Sequence, residues 1–263
     1  MGRQGEAGEP GQRGTAGVRV RELVVRLARK DVVNRPSLDL GQGVVAIVGP
    51  NGSGKTTFLR ALVGLVPVAS GEASVAGFDV RTRAGLAEAR RCVGYLPQDP
   101  SYLEHLTVEE ALLYGTWLHR IGRRARAAAI EAMLEALDLR EVGRRRLRHL
   151  SGGTRRRAYI AQALVHDPPV LLLDEPTVGL DPDHRVELRR LIRRLADGRL
   201  VVLTTHLTED VELLPDRVIA FVDGTVRFDG TPERLVSMAA DVEGDEDERP
   251  VERALRLLTG SPR

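Results

Sequence analysis

The chain has 263 residues, and its 39 basic and 37 acidic side chains leave a formal net charge of only +2. Hydrophobic residues make up 42% and charged ones 29%, a globular composition with enough apolar side chains for one or two cores. No apolar run approaches the roughly 18 to 20 residues needed to cross a bilayer, and 3% aromatics are too few for a surface that stacks nucleobases.

Residues 1–17 hold six glycines and no apolar stretch, which excludes a secretory leader and reads as a disordered tail. Between Val18 and Leu40, loose alternation suggests edge strands. Val44 to Val48 is then a continuous β-branched run, the pattern of a strand covered on both faces. A glycine-rich turn and the helical stretch Thr56 to Leu62 follow it. Residues 71–97 read as short strands and turns. From Leu106 to Leu150 apolar residues recur at three- and four-residue spacing, so a helical block is expected inside an α/β chain. Thr107 with Glu109 and Glu110 marks a helix start. A further helix after Gly153, a buried strand over Val170 to Leu173, a helix over 183–196 and strands over 200–204 and near 218–228 continue the alternation. Residues 241–249 are an acidic linker, and Val251, Leu255 and Leu258 suggest a short closing helix. The single cysteine, Cys92, excludes an internal disulfide and reads as a small buried hydrophobe.

Gly49-Pro50-Asn51-Gly52-Ser53-Gly54-Lys55-Thr56 fits the phosphate-binding P-loop and lies between a predicted buried strand and a helix, as its mechanism requires. The glycines let backbone N–H groups turn inward around an anion, and the helix adds its positive end. Only Lys30 and Lys55 are lysines in a chain whose other basic residues are all arginines, so a lysine at this position is not incidental. Lys55 supplies a compact charge to phosphates, and the Thr56 hydroxyl suits Mg²⁺. The strand over Val170 to Leu173 delivers Asp174 and Glu175 to its C-terminal end, where open α/β sheets bind ligands. Asp174 suits the metal. Glu175 lies one residue further on and can take a proton from an attacking water.

With Gln98 in YLPQDP, LSGGT at 150–154, VLLLDEPT at 170–177, GLDP at 179–182 and TTH at 204–206, the chain resembles the ATPase subunit of ATP-binding cassette (ABC) transporters. The motifs occur in the family's order and span about Val18 to Leu235. The resemblance implies an α/β P-loop NTPase core with a mainly parallel sheet, a small antiparallel β portion and an inserted α-helical subdomain over about 101–150. The ATPase domain is expected over 18–240, with 241–263 as linker and closing helix. ATP and Mg²⁺ are the implied cofactors. Nucleotide would be held by Gly49, Pro50, Asn51, Gly52, Ser53, Gly54, Lys55, Thr56, Thr57 and Gln98, and metal by Thr56, Gln98 and Asp174. Glu175, His206 and Lys55 would be catalytic, with His206 on the γ-phosphate. Ser151, Gly152, Gly153 and Asp181 would reach the nucleotide of a second ATPase subunit, identical or different.

The family stacks adenine on a ring N-terminal to the P-loop, and here no Phe, Tyr, Trp or His precedes Phe58. Thr154 also stands where the family usually has Gln. The expected partner is a separate transmembrane permease. The helical block would dock on it near Tyr102 and Leu103, which places the chain in the cytoplasm on the inner face of the membrane. Export is the direction the resemblance favours, and no nucleic acid is expected. The alternatives are a soluble ABC ATPase acting on ribosomes or DNA, and a P-loop kinase. The first would usually bring two cassettes or long coiled coils. The second would leave Ser151 to Gly153 and His206 without a role.

Overall fold

The computed structural model describes residues 16–100, 103–239 and 249–260. Most of the expected N-terminal tail, Tyr102 and nearly all of the acidic stretch 241–249 lie outside them. Eleven strands form two sheets among the described residues. The larger contains β4 (Gly43–Val48), β7 (Val93–Leu96), β8 (Val170–Asp174), β9 (Leu200–Thr204), β10 (Arg217–Val222) and β11 (Thr225–Gly230), in the order β11-β10-β4-β9-β8-β7. Its neighbours run parallel, except for the antiparallel β10–β11 hairpin at one edge.

The continuous apolar runs follow from double coverage. Val44, Ala46 and Val48 of β4 join Leu171, Leu173, Val201 and Leu203 in one core. Val45 and Ile47 join Val170, Leu172, Leu200 and Val202 in the other. Successive side chains point to opposite faces, so a strand with both faces buried loses its polar alternation.

The second sheet is antiparallel: β1 (Val18–Leu27) pairs with β2 (Lys30–Asn34), β3 (Leu38–Leu40) and β5 (Ser70–Val75), and β5 with β6 (Phe78–Asp79). It shares the second core with α1 (Lys55–Leu62), whose Phe58 ring lies 5.4 Å from that of Phe221. Main-chain groups seat this sheet on the larger one. Asn34 N–H donates to the Gly224 carbonyl at 2.8 Å, and Gly224 N–H donates to Ser53 O at 3.1 Å. The Val32 carbonyl oxygen sits 2.5 Å from where a Cβ would stand on either Gly54 or Gly224, so only glycine admits this approach.

Between β7 and β8 the chain is helical. Among the described residues it contains α3 (Val108–Leu118), α4 (Arg123–Ala136), short 3₁₀ turns over Arg140–Val142 and Leu147–His149, and α5 (Gly152–Leu164). Thr107 and Glu110 start α3 as a reciprocal capping box, at 3.2 and 2.8 Å. The remaining helices are α6 (Pro182–Leu195), α7 (Thr208–Leu213), α8 (Pro232–Ser237) and α9 (Pro250–Thr259). Val251 and Ala254 of α9 are buried in the first core.

One segment departs from expectation: Arg83–Arg91, read as turns, is helix α2. Thr82 caps it by accepting from Gly85 N–H at 3.0 Å. Ala89 is its one buried residue and Leu86 packs against the second core only in part, so the helix offers few apolar residues from which to read it. Cys92, at the C-terminal end of α2, is only partly buried.

Candidate functional site

The turn between β4 and α1 is shaped by close main-chain approaches. Gly49 has φ of +142°, and a Cβ there would stand 2.1 Å from the Phe221 carbonyl oxygen, so no other residue fits. Lys55 opens α1 and is 5% exposed. Its ammonium donates to the carbonyls of Gly49 and Pro50 at 2.8 and 2.9 Å. Burial pulls its pKa below the usual lysine value, against the opposing influence of the Glu175 and Asp174 carboxylates. The Thr56 hydroxyl donates to Asp174 Oδ1 at 3.0 Å.

Asp174 ends β8 and is wholly buried. Thr204, at the end of the neighbouring β9, donates its hydroxyl to Asp174 Oδ1 at 2.7 Å and accepts from Glu175 N–H at 2.9 Å. Asp174 Oδ2 is buried with no hydrogen-bond partner. Glu175 leaves the strand at φ +51°, a left-handed conformation that a non-glycine residue holds only when its surroundings enforce it. Its carboxylate is bracketed. Gln98 Nε2 donates to Oε2 at 3.3 Å, and His206 Nδ1 lies 3.3 Å from Oε1.

A cavity of about 450 Å³ is lined by Asn51, Gly52, Gly54, Lys55, Thr56, Thr57, Gln98, Glu175 and His206, together with Val32 and Val178. Gly49 and Pro50 contribute the carbonyls that hold Lys55, and Ser53 is buried with an unpartnered hydroxyl. Thus the structure brings the motifs at 49–57, 98, 174–175 and 206 together, although the chain separates them widely.

Ser151, Gly152, Gly153 and Asp181 do not line that cavity. They form their own cluster. Ser151 caps α5 by accepting from Thr154 N–H, and it donates its hydroxyl to Thr154 Oγ1 at 2.9 Å. Asp181 caps α6 and holds the His184 ring, with Nδ1 2.6 Å from Oδ2. Gly153 packs against that ring, since a Cβ there would meet His184 Cδ2 at 2.1 Å. A separate cavity of about 210 Å³ beside Gly152 shares Gln98 and Val178 with the first.

Several supporting residues escaped the sequence reading. Thr204 lies inside the quoted TTH, yet its bridge between Asp174 and Glu175 depends on which strands are neighbours. Thr177, Thr205, Arg189 and Asp210 form a buried polar cluster just behind the site, and single charged residues on α6 and α7 carry no signal that would have revealed it.

On another face, α3 exposes Leu113, Tyr114, Trp117 and Leu118. They stand beside a groove of about 750 Å³ whose lining includes Leu65, Tyr95, Leu118 and His119. Leu103, expected to be accessible for docking, is 3% exposed. It turns inward to the core under the helical segment.

No described helix is long and apolar enough to cross a membrane. The family model for the ABC transporter matches residues 33–178. The Nod factor export ATP-binding protein I of Rhizobium meliloti (strain 1021) is 37% identical over 230 residues, covering 86% of this chain and 68% of that protein. The daunorubicin resistance ATP-binding protein DrrA2 of Streptomyces coeruleorubidus is 37% identical over 255 residues, covering 93% and 78%. Among solved structures, CbiO1 of Clostridium perfringens, part of the ABC transporter complex CbiONQ, superposes with a TM-score of 0.76 at 25% identity, covering 85% of this chain and 91% of that one. With this fold, this gathering of motifs and these relatives, the chain belongs to the ABC transporter family, as an ATP-binding subunit that hydrolyses ATP to power transport.

Proposed function

We propose that two such subunits close head to tail around ATP and drive export through a separate membrane permease. The observation that carries this reading is the separation of the two motif clusters. One cluster surrounds the P-loop cavity, and the other, Ser151 to Gly153 with Asp181, lies outside it and caps two helix starts. A helix N-terminus suits a γ-phosphate, and a second subunit would bring this one to the first cavity.

In this reading Lys55 and the loop amides stabilise charge on the phosphates, moving the ammonium from the Gly49 and Pro50 carbonyls to the nucleotide. Glu175 accepts the proton of the attacking water, and His206, in contact with it, completes the γ-phosphate site. The residues present fit Mg²⁺: Asp174 Oδ2 is a buried oxygen with no partner, and the Thr56 hydroxyl and Gln98 amide add hard oxygen donors. Thr56, Gln98 and Asp174 would hold the ion, which would supply charge neutralisation on the phosphates when bound with nucleotide.

The permease would meet the exposed face of α3 and the groove beside Leu65. An apolar patch of this kind is typical of an interaction surface. That contact would put the subunit on the inner face of the membrane. Export is carried over from the two relatives that act in Nod factor export and daunorubicin resistance. No observation favours the ribosome- or DNA-directed alternative.

The test combines two substitutions. Glu175→Gln should bind ATP yet hydrolyse it at least about a hundredfold more slowly, because the amide cannot take the proton. With Mg·ATP it should scatter light as a dimer, and Glu175→Gln with Ser151→Arg should stay monomeric. Hydrolysis at the wild-type rate by Glu175→Gln refutes its role as base, and a persistent dimer in the double variant refutes the role of Ser151 across the interface.

A further inference from the structure

Asp210, on α7, is fully buried. Its Oδ2 accepts the Thr177 hydroxyl, and also that of Thr205 at 3.1 Å. Its Oδ1 accepts from Arg189 Nη1 of α6 at 3.0 Å. Thr177 and Thr205 are also fully buried. Thr205 further accepts from Leu207 N–H at 3.1 Å. One carboxylate thus grips two different stretches of chain. Thr177 lies two residues beyond Glu175, and Thr205 lies immediately before His206.

Those stretches carry the two side chains that meet 3.3 Å apart in the cavity. Glu175 sits in its left-handed conformation between a bond on each side. Thr204 holds its own N–H, and Asp210 holds Thr177 downstream. We propose that Asp210 is a positioning residue for hydrolysis: it joins the Glu175 turn to the His206 segment and so sets the distance between the two. This rests on the roles proposed above for Glu175 and His206.

A buried Asp–Arg pair by itself is a poor stabilising device, because desolvation of both charges offsets their attraction. Here the carboxylate offers both oxygens, and each is used on a different element. Arg189 also lies 3.5 Å from Glu209 Oε2, so the pair is fixed from the α7 side as well. The P-loop takes no part in this network, so nucleotide binding should be largely independent of it. A shift of the base by a fraction of an ångström would instead act on the chemical step.

The experiment measures kcat and KM for Mg·ATP on the full chain, with melting temperature, for Thr177→Val, Thr177→Ser and Asp210→Asn, and with Glu175→Gln as control. Thr177→Val keeps the shape and the Asp210–Arg189 pair but loses the hydroxyl. It should lower kcat at least about tenfold, with KM nearly unchanged. Thr177→Ser, which restores the hydroxyl, should recover most of that loss, and Asp210→Asn should behave like Thr177→Val. If Asp210→Asn does not fold, the Thr177 pair decides alone. A wild-type kcat for Thr177→Val while Glu175→Gln stalls overturns the positioning role and spares the catalytic assignment. So does a fall in kcat that serine fails to rescue. Wild-type hydrolysis by Glu175→Gln overturns the catalytic assignment and this inference with it.

Discussion

Among the described residues no Phe, Tyr or Trp lines the cavity beside the P-loop. Val32 lines the cavity, Leu27 is 40% exposed at the end of β1, and the first ring in the sequence, Phe58, is fully buried against Phe221. Phe58 therefore cannot stack on a purine. Stacking on an aromatic contributes roughly 1 to 3 kcal/mol per base, and aliphatic surface or a mobile guanidinium such as that of Arg29 reads a purine without selecting it. Most of the affinity then comes from phosphate contacts, which are blind to the base. ATP and GTP should bind within a few-fold of one another in competition experiments, and both should be hydrolysed. Leu27→Tyr should tighten ATP binding by about tenfold or more. A hundred-fold preference of the unmodified protein for ATP would show that another residue reads adenine.

Between elements, α3 and α5 are joined by a contact that their helical periodicity does not reveal. His119 follows the end of α3, His166 follows α5 and Val165, and the two rings stack with centroids 3.4 Å apart and planes within 5°. His166 Nε2 lies 3.2 Å from the Val93 carbonyl. A carbonyl only accepts, so that nitrogen carries the proton. Burial, and then the neighbouring His119, pull the His166 pKa from 6.5 down to about 3, against the Val93 bond and the Asp167 carboxylate. Burial also lowers His119, and Arg90, Arg91 and Arg120 line the same groove.

The sign of the resulting pH dependence follows directly. Above pH 6.5 the ring is neutral in both folded and unfolded chains and contributes nothing. As pH falls toward 3, the unfolded chain takes up a proton that the folded one refuses, so stability is lost by up to about 1.4 kcal/mol per pH unit. The melting temperature should therefore drop more steeply from pH 7 to pH 5 in the wild type than in His166→Gln. Equal slopes would show that another group titrates in this window.

For the whole molecule, legibility in the sequence followed the kind of interaction involved. The buried strands and the P-loop were readable because a doubly covered strand and a phosphate turn each impose a local pattern. Asp174 and Glu175 were readable because two carboxylates directly follow an apolar strand run, at the end where open α/β sheets bind ligands. Helix α2 was not, because only Leu86 and Ala89 of its residues pack against the core, too few to stand out among its arginines. The inward turn of Leu103 and the Asp210 network were unreadable for a different reason: both depend on which elements become neighbours, and one residue carries no record of that.

The seating of the two sheets has an effect that can be measured across the molecule. Ser53 in the P-loop, Gly224 between β10 and β11, and Asn34 on β2 form one run of main-chain bonds. Nucleotide that steadies the P-loop should slow amide hydrogen exchange at Gly224 and Asn34 as well as within the loop. Protection confined to residues 49–57 would show the two sheets opening separately. The bonds and the close approach of the Val32 carbonyl involve backbone and two glycines, with no side chain between them. Exposed side chains of the antiparallel sheet are therefore free to diverge over evolutionary time without disturbing the frame of the phosphate loop. What that frame demands is heritable in two glycines, and Gly224→Ala, outside the loop but bonded to it through Ser53, should weaken nucleotide binding as a change in the loop itself would.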